Sequence, residues 1–132
     1  MQLMQMTVSS LHGFTLEAVE LAPVPVITVL ARGRLTHQDD LSLIPQLQAA
    51  IDELTSDRFR LVLDARELRG WEPRAAFDDL QLSIHHGHHV ERVALISDAR
   101  WLSVLSRLAG LLMAGQIRSF RDREAGDAWV RS

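Results

Sequence analysis

The spacing of apolar residues along the chain changes from stretch to stretch, and each spacing predicts an element. Over residues 14–21, Phe14, Leu16 and Ala18 alternate with Thr15, Glu17 and Glu20, the two-residue period of a half-buried strand. Pro23 and Pro25 interrupt strand pairing, so Ala22–Pro25 reads as a turn and a second strand starts near Val26. Its sequence, VITVLARGRL, is β-branched and apolar, as suits a more interior strand. The closeness of the two in sequence predicts an antiparallel hairpin. Thr36 then offers a helix N-cap, with Asp39 three residues on as the first-turn carboxylate. Leu43, Ile44, Leu47, Ala50, Ile51 and Leu54 recur at helical spacing, and Pro45 is expected to bend that helix or to mark its regular start.

Further on, the apolar runs Leu61–Asp64 and Val93–Ser97 are continuous rather than alternating, the mark of strands inside a parallel sheet covered on both faces. The third strand is expected over Arg58–Asp64, followed by a loop over Ala65–Glu72. A helix over Pro73–His86 has Ala76, Phe77, Leu80 and Ile84 inward, and the fourth strand covers Arg92–Ser97. Asp98 can cap a third helix with Trp101, Leu102, Leu105, Leu108, Ala109 and Leu112 on its inner face. A short fifth strand, Gln116–Phe120, precedes a last helix, Glu124–Val130, holding Ala125, Ala128 and Trp129. The expected fold is α/β, one domain over residues 1–132: a mixed sheet of about five strands, an antiparallel N-terminal hairpin followed by parallel strands, with about four helices. Each parallel crossover should be right-handed.

Composition narrows the function classes. A length of 132 residues suits one domain, and 47% hydrophobic with 23% charged residues is ordinary for a globular protein. The net charge of −3 argues against a general nucleic-acid binder, which needs a basic face. With no cysteine, thiol catalysis, disulfides and cysteine-ligated metals are excluded. The N-terminal stretch MQLMQMTVSSLHGF lacks the layout of a secretory signal, and no apolar run approaches the ~20 residues needed to cross a bilayer. A cytoplasmic domain is expected, with peripheral membrane association as a variant.

Four segments, GRLTHQDDLSLIP (33–45), LDARELRGWEPRAAFDDL (63–80), HHGHHVERVALISDARW (85–101) and IRSFRDREAGDAW (117–129), resemble in order the successive motifs of the SpoIIAA-like family. The family shares the STAS architecture of anti-sigma-factor antagonists, and the N-terminal hairpin agrees with it in pattern only. The resemblance implies a mixed sheet with helices, no established enzymatic activity, and association with small molecules, lipids or membranes. One departure matters. Phosphorylatable STAS antagonists carry Ser or Thr after the central strand, whereas no hydroxyl residue occurs here from Arg58 to Gln81. The phosphorylation-dependent partner switch is therefore not supported at its usual position, while unmodified protein–protein binding stays open.

The candidate ligand site comprises Asp64, Arg66, Arg69, Gly70, Trp71 and Arg74. Three guanidinium groups beside the free N–H groups of a helix start could receive a carboxylate or phosphate, with Gly70 allowing close backbone approach and Trp71 as an apolar wall. Alternatively, Glu67, Glu72 and Asp78 neutralise these arginines and Trp71 plugs the core. Asp64 is expected to organise the following loop by accepting backbone N–H bonds, and becomes a general base only if a pocket raises its pKa. His85, His86, His88 and His89 suggest a metal, with His85 and His89 sharing a face if the helix continues; Gly87 is expected to end it, leaving solvated or capping histidines. His37 with Asp39 and Asp40 resembles an acid–base set, although capping accounts for Asp39.

The helix from Trp101 is apolar on more than one side. Arg100, Trp101, Val104, Arg107, Leu108 and Leu111 form a candidate membrane or partner surface, unless the last helix and Trp129 cover it. Three readings of function follow. The first is a non-catalytic module for a small anionic or amphipathic ligand, or a lipid surface, without cofactor. The second is an unphosphorylated STAS-like protein–protein module, with a homodimer as one partner arrangement. The third is an enzyme built on Asp64 with His37 or the histidine cluster, for which the chain supplies no nucleophile–base–orienter set.

Overall fold

The computed structural model describes residues 3–5, 13–19, 24–70, 89–97 and 116–132. These hold strands β1 (Leu3–Gln5), β2 (Gly13–Val19) and β3 (Val26–Arg34), helix α1 (His37–Asp52), strands β4 (Arg58–Gly70), β5 (His89–Ile96) and β6 (Gln116–Phe120), and helix α2 (Arg123–Arg131). The six strands form one sheet in sequence order. β1 and β2 pair antiparallel, as do β2 and β3, whereas β3, β4, β5 and β6 run parallel. The mixed sheet has the expected hairpin and parallel half, plus the short extra strand β1. The helices expected over Pro73–His86 and after Asp98 lie outside the described residues.

Alternation works as read in β2: Phe14, Leu16 and Ala18 are buried while Glu17 is exposed. The continuous apolar runs of β4 and β5 are explained by burial on both faces. Leu61 and Leu63 join a larger core beneath α1, with Leu43, Leu47, Ala50 and Ile51 from that helix. Val62, Ala94 and Ile96 point the other way, into a smaller cluster with Val26 and with Val130 of α2. Burying one face under each helix fixes the register of these central strands, because a one-residue slip would exchange every side chain between the two layers.

The start of α1 is set by a full capping box. The Thr36 hydroxyl accepts from the Asp39 N–H at 3.2 Å, and the Asp39 carboxylate accepts from the Thr36 N–H at 2.8 Å. Pro45 neither starts nor ends the helix, which runs through it.

Two expectations are corrected. The segment Ala65–Gly70, read as a loop, continues β4, which pairs with β3 as far as Gly70. It keeps pace through two irregularities: β4 carries an extra residue between the pairs Leu30–Asp64 and Arg32–Glu67, and another between Gly33–Leu68 and Arg34–Gly70. The first returns Leu68 to the face of Leu63 and Ala65; at the second, Gly33 adopts φ 71°, a left-handed conformation that favours glycine. The inner face of the last helix is also different. Gly126 and Val130 are buried, whereas Ala125 and Ala128 are exposed and Trp129 is half-buried. Gly126 makes this possible, because a Cβ there would run into Ile96 Cδ1, which would have to shift to admit it.

Candidate functional site

Asp64 is the last β4 residue paired on both sides, to Leu30 of β3 and to Ile96 of β5. Beyond it β5 ends, and β4 runs on alongside β3 alone among the described strands. The Asp64 carboxylate is 1% exposed on the α2 side of the sheet. Burial of a charge there is tolerated only if it is paired and hydrogen-bonded. Arg66 supplies a fork, Nε to Oδ1 at 2.9 Å and Nη2 to Oδ2 at 2.7 Å, while its backbone N–H donates to Oδ1 at 3.2 Å. Arg123, the first residue of α2, adds Nη1 to Oδ2 at 3.2 Å and grips Asp127 with its Nε at 3.0 Å to both oxygens.

The four donors occupy both oxygens of Asp64. Burial pushes its carboxyl pKa up, but the Arg66 hydrogen bonds and charge, with Arg123 behind them, outweigh this and hold it below the ordinary 3.8. The side-chain hydrogen bond to Asp64 in turn raises the Arg66 pKa above its ordinary value. A carboxylate whose lone pairs are filled and whose basicity is lowered is a poor proton acceptor, so the general-base reading of Asp64 loses its premise. The expectation that Asp64 organises the chain after it is met, through the Arg66 N–H.

Around this centre the candidate residues divide. Arg66 keeps 48% of its side chain exposed although it grips Asp64. Arg69 is exposed, and no ion pair among the described residues engages it. Glu67 pairs with Arg32 of β3 at 3.5 Å, and its charge, with that of Asp122, also acts on Arg66. Gly70 pairs with Arg34, and a Cβ on it would meet Arg34 Cγ at 3.3 Å, so its bare backbone lets Arg34 lie across the strand end. Trp71 and Arg74 lie outside the described residues, as do His85, Arg100, Trp101, Val104, Arg107, Leu108 and Leu111. His89 opens β5, exposed, with its N–H on the Asp57 carbonyl at 2.8 Å. No group of three metal-ligating side chains occurs among the described residues. Asp39 is engaged in the α1 cap.

A second arginine cluster escaped the reading of the sequence. Arg60 and Arg92 are register partners on β4 and β5 and lie under the end of α2. Arg60 Nη1 donates to the carbonyls of Val130 and Ser132 at 2.6 and 2.9 Å, and Arg92 Nη1 to the Trp129 carbonyl at 2.7 Å. These carbonyls lie at the negative end of the helix dipole, which a guanidinium complements, and the Trp129 carbonyl also accepts from the Ser132 N–H at 3.3 Å and the Ser132 hydroxyl at 2.7 Å. Trp129 lies beside the guanidinium groups of Arg92 and Arg118, each 5.3 Å from its ring, and tilts against Phe120 at 5.7 Å. The signal was an Arg directly before each apolar strand run, RLVL and RVALI.

The sequence over residues 26–131 matches a family model described as SpoIIAA-like. The chain belongs to the SpoIIAA-like family. An uncharacterised protein with a SpoIIAA-like fold from Shewanella loihica is 28% identical, with a TM-score of 0.66, covering 95% of this chain and 99% of that one. No protein of curated function matches the chain. No helix among the described residues of this SpoIIAA-like chain is long and apolar enough to cross a membrane.

Proposed function

We propose that this SpoIIAA-like chain is a single-domain, non-catalytic binding module of the STAS kind that takes an anionic group at the arginine rim of Arg66, Arg69 and Gly70. The observation that carries the reading is the division of labour between the arginines and Asp64. The carboxylate is buried and saturated, so it is unsuited to proton transfer, while Arg66 is half-exposed and Arg69, three residues on, is exposed. Guanidinium forks suit carboxylate and phosphate groups. The shared chemistry is a phosphate or carboxylate, whether on a small amphipathic ligand or on a lipid headgroup. Trp71 and Arg74 follow in sequence and complete the candidate set, and the segment with Arg100, Trp101, Val104, Arg107, Leu108 and Leu111 is the candidate surface for an attached apolar part.

Two arms test this on the full chain: titration with inorganic phosphate followed by NMR, and flotation with vesicles of phosphatidylglycerol against phosphatidylcholine. Saturable phosphate shifts without flotation indicate a small ligand, whereas flotation on the anionic vesicles indicates a lipid surface. Neither effect, or effects unchanged in Arg69→Glu, sinks the proposal.

Family membership favours a second reading, an unphosphorylated protein–protein regulatory module using the same rim. Absence of a hydroxyl residue from Arg58 to Gln81 confines it to unmodified docking. Pull-down with Arg69→Glu and Trp71→Ala tests it: partner capture that survives both substitutions counts against this surface.

A further inference from the structure

Among the described residues, helix α2 gives few fully buried side chains to the face of the sheet it covers. Of its nine residues only Gly126 and Val130 are buried, and Gly126 has no side chain to contribute. Nine residues are also fewer than the ~12–15 an isolated helix needs to persist in water, so α2 depends on its docking. That docking is polar at both ends. At the N-terminal end Arg123 bridges from its own Asp127 to the buried Asp64. At the C-terminal end Arg60 and Arg92, both rooted in the sheet, hold the last carbonyls, and Arg92 also reaches the Ser132 hydroxyl at 2.7 Å.

We propose that α2 is an electrostatically held clasp, which opens as a unit while the strands beneath it stay folded. Opening removes Val130 and Trp129 from the smaller cluster and uncovers Val26, Val62, Ala94 and Ile96 on that face of the sheet. The sheet itself does not depend on α2, because its larger core lies on the opposite face under α1. Arg66 keeps its own fork on Asp64 when Arg123 leaves, so the carboxylate is not stranded. The Arg123–Asp127 pair, about a third exposed on both sides, weakens with ionic strength, so salt sets how often the clasp is open. The inference is independent of what the arginine rim binds.

Hydrogen exchange of the full chain, read by mass spectrometry from low to molar sodium chloride, tests it. Amides of residues 126–131 exchange about tenfold faster at high salt, the scale expected when a few such contacts are screened, while those of β4 and β5 keep their protection. In Arg60→Met/Arg92→Met the helix amides are already fast at low salt and the salt response is reduced. The wild-type salt series decides the matter if that variant fails to fold. Exchange of α2 that rises only together with β4 and β5, or that ignores salt in the wild type, overturns the proposal.

Discussion

Arg123 Nη1 donates to Asp64 Oδ2 at 3.2 Å across 59 positions of sequence, tying the first turn of the last helix to the central strand. Asp64 is the buried partner, so the energetic consequences attach to it rather than to the half-exposed arginines. Asp64→Asn keeps the shape and removes the charge. It should lower stability by about 1–3 kcal/mol in urea unfolding, the range for losing charge-assisted hydrogen bonds. Arg66→Met/Arg123→Met should cost more, about 3–5 kcal/mol, because it leaves a buried carboxylate uncompensated. The reverse order would contradict the view that the arginines serve the carboxylate.

The same network sets the acid response. The folded pKa of Asp64 lies below its unfolded value, so the folded state favours the ionised carboxylate. Its contribution is complete well above pH ~4, and is lost as pH falls from there through the folded pKa. Wild-type stability should therefore decline with falling pH more steeply than that of Asp64→Asn. Denaturant unfolding at a series of pH values compares the two curves, which should converge in acid.

The contact of Gly126 with Ile96 gives a packing test. In an open helix Gly→Ala gains about 1 kcal/mol of helix propensity. Here the new Cβ would run into Ile96 Cδ1, so Gly126→Ala should instead destabilise by about 1–3 kcal/mol as the overpacked contact is relieved. Ile96→Val deletes the atom it meets. The double variant should recover most of the loss, which thermal unfolding of the four proteins reads directly.

The capping box of α1 is a local device, and Thr36→Ala should cost about 1 kcal/mol. Hydrogen exchange should show the loss confined to the first turn of α1, with β4 and β5 unaffected at low denaturant.

That cap was legible because it is written in adjacent residues, Thr36 and Asp39, as was the short strand Gln116–Phe120. The β2–β3 hairpin followed from alternation and two prolines. What the sequence hid was of two kinds. Strand β4 passes through Ala65–Gly70 with two extra residues, and each breaks the two-residue period, so charged residues and a glycine imitate a loop. The partners of Asp64 and of the α2 carbonyls are separated from them by dozens of residues, a relationship that no local spacing encodes. The Asp64–Arg66 pair was within reach, since a carboxylate two residues ahead of an arginine can fold it back. The fourth donor, from Arg123, was not.

The account turns on the arginine rim being open to an anion while Asp64 is fully engaged. The most direct measurement is an NMR titration with inorganic phosphate that observes the arginine Nε–H signals together with the Asp64 carboxyl carbon. Saturable shifts at Arg69 and Arg66, absent in Arg69→Glu, with the Asp64 signal still that of an ionised carboxylate, are the predicted result. Phosphate that leaves both arginines unmoved, or that shifts them equally in Arg69→Glu, would contradict it.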